Sequence, residues 1–405
     1  MSWWFVQKEM TFLWKQLEVG SSDLSGVRGR LRLVWYTDRY RQQYLLNPLS
    51  ERMTDLDGNV KLKRVAEASC GYSSHHASSH GGPFFRDAQF SPDGTSIITL
   101  DSEQSLKTWI LSPDLLDDPS KRQQLKSYST YKAPSNIQSH VAYPGFNLRD
   151  PSSTLVLHSC TEQPLTLRNA LDYSIVAAKY NIISPTTEAY LKVNSLAFCS
   201  DGLRFVAGSN NQLSTFDVNQ SFSGPISTYK LSPRREARKL YGEENLSCRG
   251  IVTALDFGPQ YGILAAGTTQ REVGLYADQG DGDCMAAFSV APPPSERDVI
   301  RGTGVMHLKW TPNGQYLLVA ERQSDCLQVW DVRNMVHRVS WLSGRKTETT
   351  QRMGIIVDPT TDGCNVVAGG TDGYVRTWRN PGQTEGKQEP DEVLKMHDGK
   401  LVRPL

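Results

Sequence analysis

Four stretches of this 405-residue sequence place chemically capable side chains at short spacing. Ser232-Pro-Arg234-Arg235-Glu-Ala-Arg238-Lys239 packs four cations into six residues. Such a run can pair with phosphates, and counterion release makes that binding salt-sensitive. A solvated loop or a weak nuclear import signal has the same composition. Gly344-Arg345-Lys346 with Arg352 forms a second basic group. Arginine suits it for bidentate phosphate contacts and for stacking on exposed bases; hydrogen bonding within the fold is the structural alternative for Arg352. Cys70, His75, His76 and His80 are metal-ligand types. They sit in a Ser/Gly-rich stretch without a second Cys pair, which reads as solvated linker. Asp278, Asp281 and Asp283 gather carboxylates without the spacing of an EF-hand loop, so an exposed turn is expected. No Walker-type, dinucleotide, zincin or nucleophile-elbow motif occurs, and no Ser, His and Asp are set by spacing to act together. The expectation is a protein without catalytic residues, cofactor, metal or small-molecule substrate.

Bulk properties narrow the partners. Lys plus Arg (44) and Asp plus Glu (43) nearly cancel, leaving a net charge of +1. That excludes a globally basic nucleic-acid coat but not a local basic patch. The seven cysteines are scattered and never form C-x-x-C, as free thiols in a reducing compartment would be. No apolar run approaches the roughly 18 residues of a membrane span, and charge interrupts the short apolar N-terminus, unlike a secretory signal. A soluble intracellular protein is expected.

The elements that position these residues repeat. From Phe84 a short apolar strand runs into a Pro/Asp/Gly turn, a second strand ends in small residues, and a third ends on an aromatic. Copies span 84–111, 193–218, 251–278, 305–332 and 353–380, with a weaker one at 142–171. The closing positions are Trp109, Arg168, Phe216, Tyr276, Trp330 and Trp378, spaced 48 to 60 residues apart. WD-type blades repeat at about 40–45 residues, so these are blades with insertions. A lone four-stranded blade cannot bury its own faces, and neighbours must stack around a channel. The fold expected is all-β: a WD-repeat β-propeller with six recognisable blades and a seventh that is incomplete or completed from the N-terminus. The closing aromatics are expected in blade cores, packed against the next blade. Trp330-Asp331-Val332-Arg333 is a W-D-x-R tetrapeptide like that of cullin-ligase substrate receptors. It is also a normal blade-strand end, where Asp331 bonds locally. Residues 1–83 read as a partly flexible N-terminal segment, with Gly29–Tyr36 as a candidate ring-closing strand, and 84–405 as the propeller. After Trp378, residues 391–397 have room for one outer strand.

The span from Phe84 to Trp378 resembles the telomerase Cajal body protein family, including its fungal splicing-associated relatives. The resemblance rests on Phe85-x4-Phe90-Ser-Pro-Asp-Gly followed by Leu111-Ser-Pro-Asp-Leu115, on Glu162-x-Pro164, on Arg271-x-x-Gly-Leu-Tyr276, and on Thr349-Thr-Gln-Arg352 leading to Asp358-Pro359. A helix-prone insertion before Val193 sits where that family has one. The resemblance implies a non-enzymatic scaffold that binds small non-coding RNA and the proteins of its RNPs, in splicing, snRNP or telomerase RNP biogenesis. It implies the nucleus, in a Cajal-body-like compartment, with the cytoplasm as the alternative. Arg271 matches an arginine of the family's fourth blade and joins Arg234, Arg235, Arg238, Lys239, Arg345, Lys346 and Arg352 as candidate RNA contacts. The competing reading is a protein-only adaptor such as a ubiquitin-ligase substrate receptor.

Overall fold

The computed structural model describes residues 15–17, 29–35, 63–70, 83–115, 123–231, 248–260, 262–347, 349–360 and 363–396. It is an all-β propeller, with no α-helix among the described residues. Blade 1 is β4 (Phe85–Phe90), β5 (Ser96–Asp101), β6 (Ser105–Ile110) and β8 (Ser129–Lys132). Blade 2 is β9 (Ile137–Ala142), β10 (Leu155–Cys160), β11 (Leu165–Asn169) and β12 (Val176–Tyr180). Blade 3 is β13 (Ser195–Phe198), β14 (Arg204–Ser209), β15 (Gln212–Asp217) and β16 (Ser227–Lys230). Blade 4 is β17 (Val252–Phe257), β18 (Leu264–Thr268), β19 (Glu272–Tyr276) and β20 (Cys284–Ser289). Blade 5 is β21 (Val305–Trp310), β22 (Tyr316–Glu321), β23 (Leu327–Asp331) and β24 (Ser340–Leu342). Blade 6 is β25 (Ile355–Thr360), β26 (Gly363–Gly369), β27 (Tyr374–Arg379) and β29 (Glu392–Lys395), the last being the outer strand expected near the C-terminal end.

A further sheet lies beside blade 1. It joins β1 (Lys15–Leu17), β2 (Gly29–Trp35) and β3 (Lys63–Ser69) to β7 (Gln123–Gln124), which pairs parallel to β3. The strand read at Gly29–Tyr36 is thus β2. Another parallel addition, β28 (Gly386–Gln388), lies along β24 of blade 5.

Register explains why six closing positions were recognisable. A residue in the first half of each second strand pairs with the closing residue of the third: Ile97 with Trp109, Val156 with Arg168, Phe205 with Phe216, Leu264 with Tyr276, Leu317 with Trp330, Val366 with Trp378. Period-2 alternation then sends successive residues to opposite faces. In blade 1, Ile97 and Trp109 pack with Ala66 and Ala68 of β3, whereas Ile98 and Leu106 pack with Val156 of blade 2. The closing aromatics therefore pack against the preceding blade, not the next one as expected: Phe216 meets Leu165 and Tyr180, Tyr276 meets Val206, Trp330 meets Val273, and Trp378 meets Leu318. All five aromatics are buried.

Three other expectations change. The second repeat begins before residue 142, because its inner strand is Ile137–Ala142 and a long turn with a 3-10 segment at Pro151–Ser153 replaces the short Pro/Asp/Gly reversal. The insertion before Val193 is not helical. Pro185 lacks an N–H, Thr186 and Thr187 are β-branched, and Ile183 bridges Tyr190 in extended pairing. Cys70 is buried with Trp109 rather than lying in solvated linker, while His75, His76 and His80 fall outside the described residues. Asp278–Gly280 forms a tight 3-10 turn between β19 and β20, and Asp281 approaches Arg204 of blade 3 at 3.9 Å.

Candidate nucleic-acid interface

Each blade begins on its innermost strand and its strands alternate in direction. The starts of the inner strands, the turns between second and third strands, and the linkers between blades therefore share one face. The remaining turns share the other. Hydrogen bonds on the first face bear this out. Ile137 N donates to Gln104 Oε1 at 2.9 Å, Thr303 N to Arg322 O at 3.0 Å, and Thr371 N to Lys346 O at 2.6 Å. In each case a turn meets the linker into or out of a neighbouring blade.

The described candidate cations map to this linker face, with different fates. Arg234, Arg235, Arg238 and Lys239 lie outside the described residues, in the link whose ends, Leu231 and Cys248, are buried between β16 and β17. Lys346 is exposed. Arg271, in the β18–β19 turn at φ 61°, gives a bidentate ion pair to Glu321 of blade 5, Nε to Oε1 at 2.6 Å and Nη2 to Oε2 at 2.8 Å. Glu321 is nearly inaccessible; burial pushes its carboxyl up, and the Arg271 pair opposes that. Arg345 is 3% exposed and donates from Nε to Gly369 O at 3.2 Å; burial lowers its pKa to about 10. Arg271 and Arg345 are thus engaged within and between blades, by partners from elements distant in sequence.

Arg352 takes the structural alternative as well. From the linker into blade 6 it crosses the ring axis, and its Nη2 donates to Asn194 O ahead of β13 and to Thr253 O of β17 at 3.0 Å. Burial lowers its pKa; Arg322 and Arg86 push the same way, against Asp87. Those neighbours identify cations the repeats hid. Arg86 is the second residue of β4 and is exposed, Arg322 is half-buried in the β22–β23 turn, and Lys192 and Arg249 are exposed in linkers. Their common signal is position within the repeat, at or just before the start of the first strand or just after the second.

The opposite face has its own charge for a simple reason. Its turns are closed by aspartates that accept from the backbone two residues on: Asp93 from Thr95 N, Asp150 from Ser152 N, Asp172 from Ser174 N, Asp201 from Leu203 N, Asp217 from Asn219 N and Asp331 from Arg333 N. Asp favours such Asx turns, so turn chemistry leaves this face rich in carboxylates. Gly94 and Gly314, at φ 70° and 68°, complete the Pro-x-Gly reversals there. On the linker face, by contrast, Glu321 and Asp372 face inward, to Arg271 and Arg376, while Asp325 is exposed and accepts from the Thr347 amide. Exposed cations remain there.

A channelled ring of WD-type blades with one basic face is the architecture of a WD-repeat scaffold, a platform of loops on a rigid disc. No family model matches the chain. It is 33% identical over 307 residues to guanine nucleotide-binding protein negative regulator 1 of Schizosaccharomyces pombe, covering 73% of this chain and 71% of that protein. It is 26% identical over 312 residues to human telomerase Cajal body protein 1, 76% of this chain and 52% of that protein. It is 24% identical over 259 residues to protein SWT21 of Vanderwaltozyma polyspora, 61% of this chain and 56% of that protein. The chain belongs to the telomerase Cajal body protein family of WD-repeat proteins, together with these fungal relatives. It spans about half the length of the human member.

Proposed function

We propose that this protein is a non-enzymatic nuclear scaffold that binds small non-coding RNA on its linker face and holds the proteins of an RNP around the ring. The observation that carries this reading is the asymmetry of the disc. Arg86, Lys192, Arg249, Arg322 and Lys346 stand on the linker face, while the other face carries turn aspartates. RNA phosphates are attracted to the first and repelled by the second. Family membership supports a small-RNP role, since one relative is named for telomerase and the Cajal body. That name also supports placement in the nucleus.

The test is crosslinking in cells with sequencing of the bound RNA, beside charge reversal in vitro. Changing Arg234, Arg235, Arg238 and Lys239 to Glu should weaken RNA binding by at least about tenfold at physiological salt, similarly across sequences. It should also flatten the salt dependence by about 0.7 for each phosphate that is no longer neutralised. Full affinity in this variant and in Arg86→Glu/Lys346→Glu would overturn the RNA reading.

One observation favours a second reading. The fungal relative at 33% identity is named as a negative regulator of a guanine nucleotide-binding protein, which points to a protein partner. Affinity purification with and without ribonuclease separates the two: a protein partner retained after digestion, with no enriched RNA, supports an adaptor.

A further inference from the structure

The inner strands enclose a cavity of about 660 Å³ along the ring axis, within the roughly 300–1,000 Å³ of small-ligand pockets. Its two halves differ in chemistry. Toward the linker face the lining includes Arg86, Asp87, His140, Thr253, His307 and Arg352. Toward the aspartate face it includes Phe90, Ile97, Phe198, Leu255 and Phe257. The ion pair in that second half is closed on itself: Lys309 Nζ lies 2.7 Å from Asp256 Oδ1, and Asp256 Oδ2 accepts from Trp310 N at 2.9 Å.

Two features in the charged half point to an occupant. Arg352 uses Nη2 for its two carbonyl bonds, which leaves the Nε and Nη1 donors outside them. The buried Nδ1 of His307 has no hydrogen-bond partner among the described residues. Burial first, with the charge of Lys309, holds that ring neutral, at a pKa of about 3. A buried polar atom without a partner is costly, and such atoms in native structures commonly mark a ligand or water position.

We propose that this axial cavity is a pocket for a single nucleotide. Its phosphate sits between Arg86 and Arg352 at the linker-face mouth, its sugar or base edge meets His307 Nδ1, and its base reaches the phenylalanines beyond. The chemistry selects this class. Two cations beside one carboxylate, Asp87, favour one phosphate group and disfavour a polyanion extending deeper. The far half offers aromatic and aliphatic walls on which any base can stack. Inner strands of four to six residues at about 3.3 Å each give an axial depth that accommodates one nucleotide. The nucleotide has two sources, free in solution or splayed from a bound RNA strand; the second rests on the RNA reading above.

The full chain is titrated by calorimetry with AMP, GMP, CMP and UMP and with the matching nucleosides, and by anisotropy with a short single-stranded RNA. The variants are Arg86→Glu, at an exposed position, and Ala88→Phe, which narrows the cavity from β4; near-UV dichroism and melting confirm their folds. At least one monophosphate should bind tenfold or more tightly than its nucleoside, and Arg86→Glu should weaken it tenfold or more. If Ala88→Phe weakens monophosphate and RNA alike, the nucleotide comes from RNA. If it weakens the monophosphate while the wild type binds no RNA, the pocket stands as a free-nucleotide site and the RNA reading falls. If no monophosphate binds and folded Ala88→Phe or Arg86→Glu protein keeps full RNA affinity, the pocket is overturned and the RNA reading is not.

Discussion

The junctions on either side of blade 2 solve one packing problem with opposite chemistry. Between blades 2 and 3 the closing slot holds Phe216, stacked on Phe205 at 5.0 Å, with Tyr180 edge-on to both at 5.9 and 4.9 Å. Between blades 1 and 2 the same register slot holds Arg168. Its guanidinium lies 4.3 Å from the Tyr131 ring centroid, Nη1 donates to Tyr173 O at 2.7 Å, and Nε donates to His158 Nε2 at 3.2 Å. That last bond sets the Nδ1–H tautomer of His158, whose Nδ1 lies 3.4 Å from Cys160 Sγ. The slot thus requires bulk and a face to lie on, not aromaticity. The difference is that the arginine version holds only while His158 is neutral. Burial first, then the charges of Arg168 and His140, brings that pKa down to about 3.

Breaking the aromatic junction should have the largest effect. Phe216→Ala leaves a cavity at a residue 1% exposed and is expected to cost about 3–5 kcal/mol in urea denaturation. A loss below about 1 kcal/mol would remove Phe216 from the core. Arg168→Ala should cost somewhat less, about 2–3 kcal/mol, through its charge-assisted bonds and the stacked tyrosine; a cost equal to that of Phe216→Ala would mean that bulk alone matters.

A pH series sharpens the contrast. Because folding depresses the His158 pKa from 6.5 to about 3, the unfolded chain binds the extra proton between those values. Stability is complete above pH 6.5 and falls on acidification, by up to about 1.4 kcal/mol per pH unit for one fully shifted histidine. His307 is shifted likewise and adds to the wild-type slope. His158→Gln should remove its own share of that slope, while Phe216→Ala should leave the slope intact; melting temperatures between pH 5 and 7 decide. The smallest effects come from a matched pair. Tyr173→Phe loses a bond to Thr108 Oγ1 of 2.9 Å, and Tyr180→Phe one to Val218 O of 2.7 Å. Each should cost about 1 kcal/mol, and unequal losses would show that the polar network is cooperative.

Arg168 also shows how far the sequence could be read. Its slot was located by spacing alone, since blade 2 has no short Pro/Asp/Gly turn; in other blades turns such as Ser91-Pro-Asp-Gly fix where each strand must start, and the spacing then follows. Trp109, Phe216, Tyr276, Trp330 and Trp378 were legible for the same reason. Direction across the ring was not: which neighbour an aromatic meets depends on the face that alternation assigns, and hydropathy does not label faces. The fates of the basic residues were hidden by distance along the chain. Arg271 finds Glu321 fifty residues on, and Arg352 reaches carbonyls 158 and 99 residues away. Equivalent positions in successive repeats would have placed Arg271 near Glu321; nothing local predicts an arginine laid across the axis. The parallel strands β7 and β28 escaped because each is two or three residues long and carries no alternation of its own.

The strands near the C-terminal end carry one last consequence. Gly386–Gln388 completes blade 5 and, after only three residues, Glu392–Lys395 completes blade 6. A single short ribbon is therefore the outer hem of two blades. Peeling it away bares two sheet edges at once, so the backbone amides that β27 and β24 share with it should exchange with deuterium together, at one opening free energy. The fifth and sixth blades should then open as one sub-globular unit, giving the ring fewer independent places to come apart than it has blades.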